Sequence, residues 1–206
     1  MTISVIKIVS LFGMFACVFY FLHIIFGTIF YEGYNSLTQA ISDLTASNSP
    51  SKNIARTFAF FYGVFSVIFS VCFYIYFRGK INNIFIIATL VFCSMNVISF
   101  IGYTLFPLSE SGYSGTLQDR MHIVVTGFVV ILTIISLILF CISFMQITLY
   151  RKMGIISICI LFLLFVGAFL IKILPLQYFG FAQRINAYSV VIYTGILSFW
   201  MYKYIN

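Results

Sequence analysis

Charge is what this chain has least of. Only 7% of its 206 residues are charged, 11 Lys and Arg against 4 Asp and Glu, while 63% are hydrophobic. A water-soluble domain carries about 25% charged residues. So few charges cannot coat a globule of this size, and most of the surface must therefore face lipid. Proline is scarce too: Pro50, Pro107 and Pro175 all lie outside or at the ends of the apolar runs, so no run is broken by one. Cys17, Cys72, Cys93, Cys141 and Cys159 each stand alone in an apolar stretch, with no CxxC pair and no Cys/His cluster. That excludes a disulfide framework and a zinc site, and leaves the cysteines as small buried hydrophobes. A P-loop, a nucleophile elbow, HExxH and GxGxxG are all missing. The net charge of +7 is scattered singly or in pairs, with no basic run among aromatics, so no nucleic-acid partner is expected.

What the chain has in quantity is uninterrupted apolar sequence. A transmembrane helix needs about 20 mostly apolar residues. Six stretches qualify: Ile8 to Phe30, Thr57 to Phe77, Ile84 to Phe106, Met121 to Met145, Gly154 to Ile171 (extendable to Leu174) and Ile185 to Tyr202. They are apolar on all sides without period-2 alternation, which selects helices over a transmembrane barrel. The first run follows Lys7 in the manner of a signal peptide. It is longer than a usual signal core, however, and bulky Phe30-Tyr31-Glu32 stands where a small-x-small cleavage site would be. The predicted fold is all-α: one transmembrane domain over residues 1–206, a polytopic bundle of about six helices.

Charge placement orients it. Arg78, Lys80, Arg151, Lys152, Lys7 and Lys203 fall on one side of an alternating path, and Glu32, Asp43, Glu110 and Asp119 on the other. The positive-inside rule then puts both termini in the cytoplasm. In the longest outer connector, Leu37, Ala40, Ile41 and Leu44 have helical spacing behind Ser36, a plausible N-cap, which predicts a short amphipathic surface helix. The second and third outer turns resemble each other. Phe106-Pro-Leu, Tyr113-Ser-Gly115 and Gln118-Asp-Arg120 have counterparts in Leu174-Pro-Leu, Tyr178-Phe-Gly180 and Gln183-Arg184. Three related helical hairpins would explain this; chance similarity in a biased composition is the alternative. Arg56, Arg120 and Arg184 each stand at the outer start of an even-numbered helix. A cation there opposes the helix dipole and calls for compensation by an acid, a lipid phosphate or an anionic ligand.

Tyr34-Asn35-Ser-Leu-Thr-Gln39-Ala-Ile-Ser42-Asp43-Leu44 after a first span, Phe106-Pro107 closing the third, His122 opening the fourth and Gly180-x-x-Gln183-Arg184 before the last together carry a family resemblance. The chain is similar, over nearly its whole length, to the bacterial membrane family called domain of unknown function 998. Ser36 stands where that family often has Pro, and Thr45 where Gly is common. The resemblance implies a topology and a bacterial cytoplasmic membrane; it implies no activity.

Ionisable groups at membrane depth are costly and default to functional candidates. The outer set could line a polar pocket in which Asn35, Ser42, Arg56, Arg120, Lys172 and Arg184 bind an anionic group, the arginines bidentately. Membrane lipids are the expected partners. If the protein is an enzyme, a lipid-headgroup hydrolase or transferase would use Asp43, Asp119 and His122; the last two share a helix face at i, i+3. The competing reading is that these groups pair with each other and pin the outer loops. No cofactor and no metal are expected: His23 and His122, the two histidines, are set at different depths for a shared haem, and a zinc hydrolase needs a third. Lys172 is read as snorkelling outward, and Asn96 as an interhelical hydrogen bond. A transporter would want a broken helix near mid-bilayer, and the proline pattern offers none. Oligomeric state is left open.

Overall fold

The computed structural model describes residues 3–205. It contains seven α-helices among those residues: α1 (Ile3–Ser10), α2 (Phe12–Ile29), α3 (Lys52–Phe77), α4 (Asn83–Leu105), α5 (Leu117–Met145), α6 (Arg151–Ile173) and α7 (Phe179–Tyr204). Three short 3-10 helices, Ile41–Thr45, Thr148–Tyr150 and Leu176–Tyr178, lie in the connectors. Five segments are long and apolar enough to cross a membrane: Ile3–Ile29, Lys52–Phe77, Asn83–Leu105, Leu117–Met145 and Thr148–Ile173. The protein is thus an all-helical, polytopic bundle. α7 is as long as α3, at 26 residues, but more polar. The reason is where its polar groups point: Ser189, Tyr193, Thr194 and Ser198 are buried inside the bundle.

Helices α2 to α7 form a closed ring in which each packs on the next and α7 returns to α2, while α1 lies against α3 and α7. Between helices in lipid the hydrophobic effect supplies little, so packing and hydrogen bonds must hold them. One half of the ring is filled by aromatic packing. Phe73 is fully enclosed, with ring centroids 5.3 Å from Phe69, 5.0 Å from Phe77 and 5.7 Å from Phe85. Phe140, Phe144 and Trp200 complete this plug. Pairs of this kind contribute about 0.5–1.5 kcal/mol each beyond plain contact. The plugged half carries Lys7, Arg78, Lys80, Arg151, Lys152 and Lys203 at its end, here the basic end; the opposite, acid-bearing end carries the 30–51 and 106–116 loops.

The helices of the acid-bearing end start earlier than a search for charge-free runs suggests. α3 begins at Lys52 rather than Thr57, α5 at Leu117 rather than Met121, and α7 at Phe179 rather than Ile185. Arg56, Asp119, Arg120 and Arg184 are therefore helical residues, not flanking ones. The predicted surface helix is present in the first loop, but as a 3-10 helix shifted to Ile41–Thr45. Ile41 and Leu44 are buried as expected, and Leu37 is exposed.

The first span, expected to run unbroken from Ile8, is divided at Leu11. Ser198 of α7 is the cause. Its hydroxyl donates to the Ser10 carbonyl and accepts from the Met14 amide at 3.0 Å, taking the place of a main-chain bond. A side chain inserted into the ladder is a standard origin of a helix break. Gly13 permits the approach, since a Cβ there would lie 2.6 Å from Ser198 Cβ. The break sits toward the basic end rather than at mid-span. Ser198→Ala strands the buried Ser10 carbonyl and leaves the Met14 amide only its bond to the Leu11 carbonyl at 2.9 Å; it should lower stability by about 1–3 kcal/mol, read as a reduced melting temperature of the detergent-solubilised protein. An unchanged melt would mean the break is set by something else.

Candidate functional site

The acid-bearing end is organised by the 30–51 loop, which docks onto α7 through its carbonyl oxygens. Asn35 starts the turn: its Oδ1 accepts from the Leu37 amide at 2.9 Å, and its own amide donates to Gln39 Oε1 at 2.7 Å. This turn aims carbonyls at the N-terminus of α7, whose first amides lack partners in their own helix. The Phe181 amide donates to the Leu37 carbonyl at 3.1 Å. The Arg184 guanidinium donates to the Gln39 carbonyl at 2.9 Å and to Gly180 at 2.8 Å, and its other nitrogen to the Tyr34 hydroxyl. In return Gln183 Oε1 accepts from the Ile41 amide at 2.9 Å. Gly180 lets the loop sit this close: a Cβ there would collide with the Gln39 carbonyl and lie 2.7 Å from that of Ser36. The two most informative sequence motifs, Tyr34 to Leu44 and Gly180 to Arg184, are thus the two halves of one interface.

Tyr34 completes the relay. Burial pushes its hydroxyl up to about 12, with Arg184 pulling the other way, so the phenol stays neutral near pH 7. It can then donate to the Ala40 carbonyl at 2.8 Å while accepting from Arg184. The Arg184 cation, 7% exposed, is compensated by carbonyl dipoles and a hydroxyl instead of an acid. Arg56 finds the same solution, donating from Nε to the Thr45 carbonyl at 2.8 Å and from Nη2 to Ser47 Oγ at 3.3 Å. Arg120 does not follow this pattern. It is exposed, and its guanidinium has no hydrogen-bond or ion-pair partner among the described residues.

Both proposed catalytic acids organise backbone. Asp43 is buried; one oxygen accepts from the Ala40 amide at 3.0 Å and the other from the Gly112 amide at 3.0 Å, tying the 30–51 loop to the 106–116 loop. Asp119 is wholly enclosed. It accepts from the amides of Ser109 at 2.7 Å and Ser114 at 2.9 Å, and from both serine hydroxyls. It also closes a capping box with Thr116 at the start of α5. The spacing Thr116-x-x-Asp119 is itself the capping-box signature, a signal legible in the sequence. His122 Nδ1 lies 2.8 Å from the Phe106 carbonyl. Because a carbonyl only accepts, Nδ1 carries the proton and Nε2 a bare lone pair; Nε2 has no partner among the described residues. The Asp43 and Asp119 carboxylates are within electrostatic reach of this ring, yet neither bonds to it.

The remaining candidates are dispersed. Asn35 and Lys172 are exposed, and Ser42 is half-buried with only its carbonyl engaged, by Thr45 Oγ1 at 3.1 Å. Asn96 donates to the Phe92 carbonyl of its own helix at 2.8 Å, so the expected bond to a neighbouring helix is replaced by an intrahelical one. The buried polar residues of the acid-bearing end, Asp43, Asp119 and Arg184, are thus bonded mainly to loop backbone. Two open surface grooves, of about 420 and 320 Å3, lie at the basic end on either side of α1. Residues that sequence reasoning did not single out as site members, Gln39, Gln183, Ser109 and Ser114, carry much of the bonding.

If the carbonyl docking is as described, Gly180→Ala and Arg184→Leu should each release the 34–41 segment while leaving α5 intact. Hydrogen exchange should speed up at the Phe181 and Ile41 amides by at least about tenfold, the equivalent of about 1.4 kcal/mol of lost closure. Amides of Val125 to Thr133 should stay protected.

No curated protein and no solved structure matches the chain. A family model described as "Protein of unknown function (DUF998)" matches residues 14–200. That span begins just past the break at Leu11 and takes in nearly all of the α2–α7 ring with both loop motifs, and on that evidence the chain belongs to the DUF998 family.

Proposed function

We propose that this membrane protein binds or handles a lipid or another anionic amphiphile at its acid-bearing face, and that this face lies outside the bacterial cytoplasmic membrane with both termini inside. The observation that supports the reading is a pair of uncommitted cations. Arg120 is in the first turn of α5 and Lys172 in the last turn of α6, two helices packed side by side. Both are exposed. Arg56 and Arg184 spend their donors on carbonyls, so an arriving anion meets Arg120 and Lys172. A phosphate there would also answer the dipole at the start of α5, against which Arg120 stands. The contact is a surface cradle at headgroup depth rather than an enclosed pocket.

Each cation near an anionic headgroup contributes about 1 kcal/mol. Arg120→Gln with Lys172→Gln should therefore weaken retention of phosphatidylglycerol relative to phosphatidylcholine by about tenfold to thirtyfold, measured by native mass spectrometry after delipidation and titration. Equal retention by the double variant would sink the reading. Orientation has its own check: a cysteine placed at exposed Leu37 should react with a membrane-impermeant maleimide on intact cells, and one at Lys152 should not.

A headgroup hydrolase or transferase is the second reading, favoured by one observation: the unpartnered Nε2 of His122, held as an acceptor by the Phe106 carbonyl. On this reading His122 alone would act as base. Asp43 and Asp119 would support the loops around it, because using either as an acid would break the hydrogen bonds that shape those loops.

A further inference from the structure

His23 is the one histidine to which neither the family motif nor the outer loops assign a task. It lies on the inward face of α2 with Ala16, Ile24 and Gly27, and is 5% exposed. Both ring nitrogens are enclosed and neither has a hydrogen-bond partner. Ser66 Oγ on α3 is enclosed as well, with the Tyr62 hydroxyl as its polar neighbour. In lipid such groups cannot turn to bulk water, and each buried orphan is costly. The two residues are joined by a run of phenols. The Tyr20 ring is 5.7 Å from that of His23 and 4.9 Å from that of Tyr62, which is one helical turn from Ser66. The phenols of Tyr103 and Tyr188 lie within electrostatic reach of Tyr20. α2, α3, α4 and α7 thus turn hydrogen-bonding groups into the same half of the ring, below the docked loop and above the phenylalanine plug.

The chemistry of this set is specific. A neutral imidazole offers one donor and one acceptor, and serine and tyrosine hydroxyls offer both. Carboxylates that would hold a cation are absent from it, since Asp43 and Asp119 are saturated by loop amides. Cations that would hold an anion are committed too, with Arg56 and Arg184 bonded to carbonyls. What fits is a group that donates and accepts through one uncharged atom. We propose that His23, with Tyr20 and Tyr62 beside it, forms a membrane-buried site for a neutral hydroxyl group, supplied either by enclosed water or by a lipid alcohol such as diacylglycerol. The site is separate from the headgroup contact at Arg120 and Lys172, so failure of one leaves the other standing.

The full chain, purified in detergent with histidine ring nitrogens labelled, tests this directly. With only two histidines in the sequence, His23→Phe identifies the His23 signals by difference; if that variant does not fold, His122→Gln does so by elimination. Hydrogen-bonded ring nitrogens in the wild type support the site, and signals of free nitrogens overturn it. Co-purified lipids from wild type, His23→Gln and His23→Phe separate the two sources. A lipid alcohol kept by wild type and His23→Gln but reduced about fivefold in His23→Phe, the loss expected for one hydrogen bond, identifies the amphiphile. Equal lipid content with magnetisation transfer from water to the His23 ring identifies water. The melting temperature is the last discriminator. An orphaned histidine would be improved by phenylalanine, so a higher melt for His23→Phe overturns the proposal, whereas a lower melt that His23→Gln largely restores supports it.

Discussion

Where no water is available, every polar group must find its partner inside the protein. That constraint decides most of what distinguishes this molecule. The break between α1 and α2 persists because the Ser198 hydroxyl takes up the Ser10 carbonyl and shares the Met14 amide with the Leu11 carbonyl. The exposed N-terminus of α7 is answered by a loop whose carbonyls are turned toward it, and the buried Arg184 cation is held by the same carbonyls. Mutual satisfaction of a helix end and a loop is what closes the ring at its acid-bearing end.

The two halves of the ring are stabilised by different physics. At the basic end, phenylalanines and Trp200 interdigitate with few polar atoms among them, and dispersion dominates. Toward the acid-bearing end, a smaller apolar cluster of Ile24, Ile41, Leu44 and Ala55 seats the first loop, and hydrogen bonds do the rest. Asp43 and Asp119 are best understood within this division. Charged acceptors form stronger hydrogen bonds than neutral ones, and here each carboxylate gathers amides from two chain segments. Two of the four acids are spent on shaping loops, while Arg120 and Lys172 stay exposed at the same end and the Nε2 of buried His122 keeps a bare lone pair.

Composition and the lengths of the apolar runs were enough to specify a helical membrane bundle, because an 18- to 29-residue apolar helix has no other stable solvent. Which connectors share an end of the bundle, and the importance of Tyr34 to Leu44 and Gly180 to Arg184, could also be read from the chain. The roles of those residues could not. Asp43 reads equally well as a base or as a loop anchor until the Gly112 amide is seen 69 positions away, at 3.0 Å. Arg56, Arg120 and Arg184 occupy equivalent positions in sequence, yet two are sheltered by loop carbonyls and one faces outward, because only the 30–51 loop folds over its neighbours. Ser198 carries no local sign that it breaks a helix 184 residues earlier. Periodicity and charge are local properties of the chain. Which donor meets which acceptor depends on distant segments being brought within about 3 Å of each other, and only the closed ring does that.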